Sequence, residues 1–98
     1  MISSEVNLSD EAVEESREAF AWYRERNPRA AAQFLFELDQ AIESIAAFPD
    51  AWPPYIDGTR RKLLRRFPFA LVYRITKQRL QVIAVAHQHR RPGYWVGR

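Results

Sequence analysis

The sequence predicts an α+β domain: a helical hairpin laid across a curved, mainly antiparallel sheet. Three observations carry this. Apolar residues recur at helical spacing between residues 10 and 47, the period changes to two after a proline-rich break at 49–58, and 98 residues with 47% hydrophobic content leave room for one core. Residues 1–98 are therefore read as a single domain.

Ile2, Ser4, Val6 and Leu8 alternate with Ser3, Glu5 and Asn7, the pattern of a short first strand. Ser9 suits an N-cap, because its hydroxyl can accept from a free N–H of the next turn. Asp10 and Glu11 complement the positive end of the helix, and Leu8 with Val13 forms a hydrophobic staple. Val13, Ser16, Phe20 and Tyr23 mark the buried stripe of a first helix that runs to about Arg26. Asn27-Pro28 breaks the chain, with Asn27 in a left-handed or capping geometry and Pro28 opening a second helix. Ala31, Phe34, Leu35, Leu38, Ile42 and Ile45 form its apolar stripe, and Pro49 ends it. The two helices make an antiparallel hairpin over residues 10–47.

Residues 49–58 read as an ordered crossover loop pinned by Trp52 and Tyr55. Thr59–Arg66 reads as a strand carrying Arg or Lys at five of eight positions, Phe67-Pro68 as a corner, and Phe69–Thr76 as a second strand. Lys77-Gln78 turns into a third, Arg79–His87, whose Val82–Ala86 run is apolar on both faces, as a central strand requires. The segment after His87 is dense in cations and rings.

The net charge of +3 conceals a bipolar chain: residues 1–50 hold 11 acids and 4 bases, whereas residues 51–98 hold 1 acid and 11 bases. Arg60, Arg61, Lys62, Arg65 and Arg66 therefore point to an anionic partner, either a nucleic acid or an acidic protein segment. Phe67, Phe69, Tyr73 and Phe34 read as core packing rather than stacking platforms. With no cysteine, disulfides, thiolate zinc sites and cysteine nucleophiles are excluded, and a reducing compartment is expected. No apolar run approaches the ~20 residues of a membrane span, and the N-terminus lacks signal-peptide character, so a cytoplasmic location and no membrane partner are expected. His87 and His89 lack an accompanying thiolate or carboxylate, so neither a metal nor a cofactor is expected.

The order strand, helix, helix, three strands, the helix exit Ile45-Ala46-Ala47-Phe48-Pro49, the segment Arg60–Phe69 leading into Val72-Tyr73-Arg74, and the close Ala84-Val85-Ala86-His87 with Arg90–Trp95 together resemble the RelE/ParE superfamily of type II toxin–antitoxin toxins, which includes plasmid-stabilisation proteins. The likeness spans essentially the whole chain. It implies a growth-inhibiting toxin, neutralised by a cognate antitoxin in a complex that can be of higher order. Within the superfamily the target is either DNA gyrase or mRNA in the ribosomal A site.

A metal-free ribonuclease needs a proton acceptor, a proton donor and cations for the charged phosphorane. His87, Tyr94, Arg90 and Arg91 form a sufficient set, and His87 and Tyr94 fall where the resemblance places basic and tyrosine side chains. Tyr94-Trp95 reads equally as a lid on the sheet. Two positions depart from the nuclease pattern: Ala70 and Gln88 stand where cations are expected. This tilts the reading toward gyrase or an undetermined target, with an mRNA endonuclease and an inactive antitoxin-binding module as the alternatives. Trp22 lies about 200° around its helix from Phe20, and Phe36 about 200° from Leu38, so both rings point away from the buried stripes and mark an antitoxin-binding surface.

Overall fold

The computed structural model describes residues 6–77 and 79–98. The α+β architecture is as expected, with two helices packed on one five-stranded sheet whose strands are β1 (Val6–Leu8), β2 (Pro54–Tyr55), β3 (Thr59–Leu63), β4 (Phe69–Thr76) and β5 (Arg79–His87), in the order β1-β5-β4-β3-β2. Strand β1 spans Val6–Leu8 and β5 spans Arg79–His87; they run parallel, with Val6 opposite Leu80 and Leu8 opposite Val82. The sheet is thus mixed, with this one parallel pair in the mainly antiparallel arrangement expected. The expected start of the first strand at Ile2 and Ser4 lies outside the described residues.

Helix α1 spans Asp10–Arg26, and the Ser9 hydroxyl accepts from the Ala12 N–H at 3.1 Å. Ser9 also fastens the helix to the sheet, its N–H donating to the Val82 carbonyl at 3.0 Å. The stripe that α1 buries is centred on Ala12 and Ala19, with Val13, Phe20 and Tyr23 on its flanks, so it is rotated from the expected Val13-Phe20 line. Small residues there allow the close approach to β5 and leave room for one charged group, Glu15.

Asn27 is an extended residue (φ −161°) that caps both helices: its N–H donates to the Tyr23 carbonyl, and its Oδ1 accepts from the N–H groups of Arg29 and Ala30. The left-handed alternative is not adopted. Helix α2, Pro28–Ala47, buries Ala31, Phe34, Leu38, Ala41 and Ile45. Leu35, expected on this stripe, is exposed, and Ala41 takes its place. Phe34 is wholly buried and meets Tyr23, Phe67 and Phe69 at ring-centroid distances of 5.5–5.7 Å, which joins both helices to the sheet.

The segment after α2 is more regular than a loop. Pro54–Tyr55 forms β2 on the edge of the sheet, and a short 3-10 turn follows over Ile56–Gly58, with Asp57 at φ 61° and Gly58 at φ 72°. Strand β3 ends at Leu63 rather than Arg66, and Leu64–Pro68 makes the corner into β4, Phe69–Thr76. The Arg65 and Arg66 N–H groups donate to the Glu37 carboxylate at 3.0 and 3.2 Å, bonds that would otherwise have extended the ladder.

Strands β4 and β5 pair antiparallel with an irregularity that decides which way the site faces. Val72 pairs with Ala84 and Tyr73 with Val82, leaving Ile83 as an extra residue on β5. Leu80, Val82 and Val85 pack with the helices, whereas Ile83 and Ala84 both pack with Val72 and Trp95 on the other face. The bulge thus inverts the alternation along β5. It accounts for the doubly apolar run read in the sequence.

Candidate functional site: a basic groove and an apolar cavity at one end of β5

After His87 the chain turns back under the sheet, and the 3.0 Å bond from the Arg90 N–H to the His87 carbonyl closes the turn. Gly93 takes φ 81°, a conformation that favours glycine, and directs Tyr94 and Trp95 toward β5. Trp95 is 1% exposed against Val72, Ile83 and Ala84, and so seals the face opposite the helices.

This arrangement places the expected site residues around two depressions. A small groove of about 70 Å³ on the Trp95 face is lined by Arg61, Arg90, Arg91, Gln88 and Ala70, with no carboxylate among its described lining residues. The Arg61 guanidinium lies 4.3 Å from the centre of the Tyr55 ring, and that of Arg90 lies 3.9 Å from the centre of Tyr94. A larger cavity of about 420 Å³ opens between α1 and the ends of β4 and β5, lined by Trp22, Tyr23, Phe69, His87, Arg90 and Tyr94. His87, Arg90 and Tyr94 border both.

The acid–base candidates are engaged within the fold. The His87 ring stands edge-to-face on Phe69, and its Nδ1 accepts from the His89 N–H at 3.0 Å. The Tyr94 hydroxyl donates to Oε2 of Glu15 at 2.6 Å. Burial, the hydrogen bond to Glu15 and the charge of Glu15 push the Tyr94 phenol well above the ordinary tyrosine value. Arg91 is exposed at the groove rim.

The basic run is divided rather than gathered. Arg61 pairs with Val72 and joins the groove, whereas Arg60 and Lys62 pair with Tyr73 and Leu71, which face the helices. Arg60 donates to the carbonyls of Asp50 and Trp52 and approaches the Asp50 carboxylate at 3.7 Å. Lys62 lies 4.4 Å from the centre of the Trp52 ring; burial and the charge of Arg65 hold its pKa below the ordinary lysine value. Arg66 sits 3.9 Å from Glu37. Of the five, Arg61 alone lines the groove with Arg90 and Arg91.

Trp22 and Phe36 are 52% and 61% exposed, and Phe48, unremarked in the sequence, is 66% exposed. Trp22 lines the larger cavity and carries Arg26 at 4.0 Å from its ring centre; Phe36 lies outside that cavity on α2. Among the described residues no helix is long and apolar enough to cross a membrane, and no cluster of three potential metal ligands occurs.

Glu15 and Arg98 were missed in the sequence. Glu15 reads as one of several solvent-facing acids on an acidic helix until the stripe is seen to centre on Ala12 and Ala19, three positions before and four after it.

Comparison with known proteins converges on one family. The model of the ParE toxin of the type II toxin–antitoxin system, parDE, matches residues 6–92. A curated protein named "Putative toxin Y4kP" of Sinorhizobium fredii (strain NBRC 101917 / NGR234) is 29% identical over 70 residues, covering 70% of this chain and 72% of its own. A solved structure titled as the chromosomal ParDE toxin–antitoxin system of P. aeruginosa shares the fold with a TM-score of 0.74 at 14% identity, over 84% of this chain and 92% of its own. With two helices on a five-stranded mixed sheet, and a family match over nearly its whole length, this chain belongs to the ParE toxin family of type II toxin–antitoxin systems.

Proposed function

We propose that the chain inhibits growth by binding DNA gyrase and that a cognate antitoxin neutralises it. The observation that carries the choice of target is the engagement of Tyr94. Tyr94 borders the groove with Arg61 and Arg91, but its hydroxyl is committed to Glu15 on α1, and the groove presents Ala70 and Gln88 where a nuclease would gain two more cations. One donor to a transition-state charge is worth roughly 3–4 kcal/mol. A groove with three arginines and several rings, whose tyrosine hydroxyl is taken up by Glu15, suits tight binding of an anionic surface better than phosphodiester chemistry.

An antitoxin partner is supported by the ParDE system among the structural relatives and by the exposed Trp22 and Phe36 rings, which provide apolar anchors on the helical hairpin. The second reading, an endonuclease acting on ribosome-bound mRNA, is favoured by one feature: His87, Tyr94 and Arg90 border the same cavity. Expression of the chain alone, with transcripts and DNA-damage signalling followed together, separates the two. Gyrase inhibition gives damage signalling with intact mRNA, cleavage gives cut mRNA, and an unaffected culture indicates an inactive binding module.

A further inference from the structure

The Glu15 carboxylate takes four hydrogen bonds from three residues, one on β5 and two in the C-terminal segment. Oε1 accepts from the Val85 N–H at 2.9 Å and from Arg98 Nη1 at 3.1 Å, and Oε2 accepts from the Tyr94 hydroxyl at 2.6 Å and from Arg98 Nη2 at 3.1 Å. Val85 lies on the β5 edge beyond the last β1 pair at Val82, where no strand among the described residues covers it. Glu15 therefore supplies the acceptor that a neighbouring strand would have offered. The fork of Arg98 also donates to the Ile83 carbonyl at 3.1 Å on the same edge. Both charged side chains are mostly covered, 14% exposed for Glu15 and 20% for Arg98. Burial works against the charge on Arg98, but the hydrogen bonds and charge of Glu15 outweigh it and raise its pKa.

These contacts join α1, in the acidic half of the chain, to the segment that carries the groove arginines. Arg90 leans on the Tyr94 ring, and Trp95, one residue on, closes the sheet face beneath the groove. We propose that Glu15 is the positioning residue for the segment Arg90–Arg98, latching it to α1 through Tyr94 and Arg98 and so fixing Arg90 and Arg91 along the groove. The functional half of this inference rests on the reading of the groove as the target-binding face. The positional half does not.

The test uses the full chain in a Trp22→Phe, Trp52→Phe background, so that Trp95 alone reports. Three readouts are followed: acrylamide quenching of Trp95, trypsin cleavage after Arg90, and half-inhibition of gyrase supercoiling. Glu15→Ala is expected to raise the quenching constant and the cleavage rate at least five-fold with the far-ultraviolet spectrum retained. Glu15→Gln, which keeps one carbonyl acceptor but loses the ion pair, should fall between it and the parent. Arg98→Ala leaves the Glu15–Val85 bond in place and should release the segment in the same way, which covers the case in which Glu15→Ala fails to fold. The concentration for half-inhibition should rise about ten-fold in step with the loosening. Trp95 equally protected in the parent, Glu15→Gln and Arg98→Ala would overturn the latch. A parent chain without effect on gyrase would instead contradict the proposed target, and quenching and cleavage would still decide the latch.

Discussion

Glu15 and Tyr94 are 79 residues apart in the chain and 2.6 Å apart in the fold, where the phenol donates to the carboxylate. This bond ties the acidic half of the molecule to the basic half and keeps Tyr94 in its neutral form. Because burial and Glu15 raise the Tyr94 pKa, the bond contributes stability fully below about pH 10, the ordinary tyrosine value, and that contribution is lost as pH rises toward the folded value. Tyr94→Phe should cost about 1–2 kcal/mol at neutral pH and flatten the fall in melting temperature above about pH 10. Buried Tyr73 and half-buried Tyr23, whose pKa values are also raised, should preserve part of the slope. Thermal melts across pH 8–12, taken as an approximate range around that value, check both effects.

Phe34 is fully buried where both helices meet the sheet. Phe34→Ala should destabilise the fold by about 3–5 kcal/mol, because the surrounding rings of Tyr23, Phe67 and Phe69 cannot collapse into the space. Denaturant unfolding measures this directly, and a loss below about 1 kcal/mol would contradict the packing described.

Ser9 caps α1 through Ala12 and reaches the Ile83 carbonyl with its hydroxyl at 3.3 Å. Ser9→Ala should cost about 1 kcal/mol and Ser9→Asp clearly less, since aspartate retains the cap acceptor. The difference between the two midpoints in urea separates capping from the contact with β5.

Trp22→Ser and Phe36→Ser remove exposed rings and should each change stability by no more than about 0.5 kcal/mol. If these rings anchor the antitoxin, the same variants should weaken capture by it at least ten-fold, about 1.4 kcal/mol, while the toxin alone still arrests growth. Co-expression with the cognate antitoxin, read as recovery of growth, checks the prediction.

The local parts of this fold were legible in the sequence because local chemistry decides them. Ser9, Asn27-Pro28 and Pro49 set the helix limits through caps and missing donors, and the change of period marks the sheet. What escaped notice depends on distant partners. The parallel pairing of β1 with β5 is not encoded in either strand's own pattern. The early end of β3 reflects Glu37 taking the Arg65 and Arg66 N–H groups from α2. Glu15 was hidden for the same reason: a carboxylate on an acidic helix looks solvated until Val85, Tyr94 and Arg98 are brought to it. The run Arg60–Arg66 looked like one basic face, yet strand alternation and the corner send its members to different sides.

The groove built from Arg61, Arg90 and Arg91 is proposed to engage gyrase without catalysing cleavage. Supercoiling of relaxed plasmid by purified gyrase, titrated with the full chain and with an Arg61→Ala, Arg91→Ala variant, tests it most directly. Inhibition by the parent chain, a rise of at least ten-fold in the concentration that the variant requires, and unchanged melting of both proteins are the expected results. Undiminished supercoiling at saturating toxin, together with cleaved mRNA on ribosomes exposed to the same preparation, would contradict it.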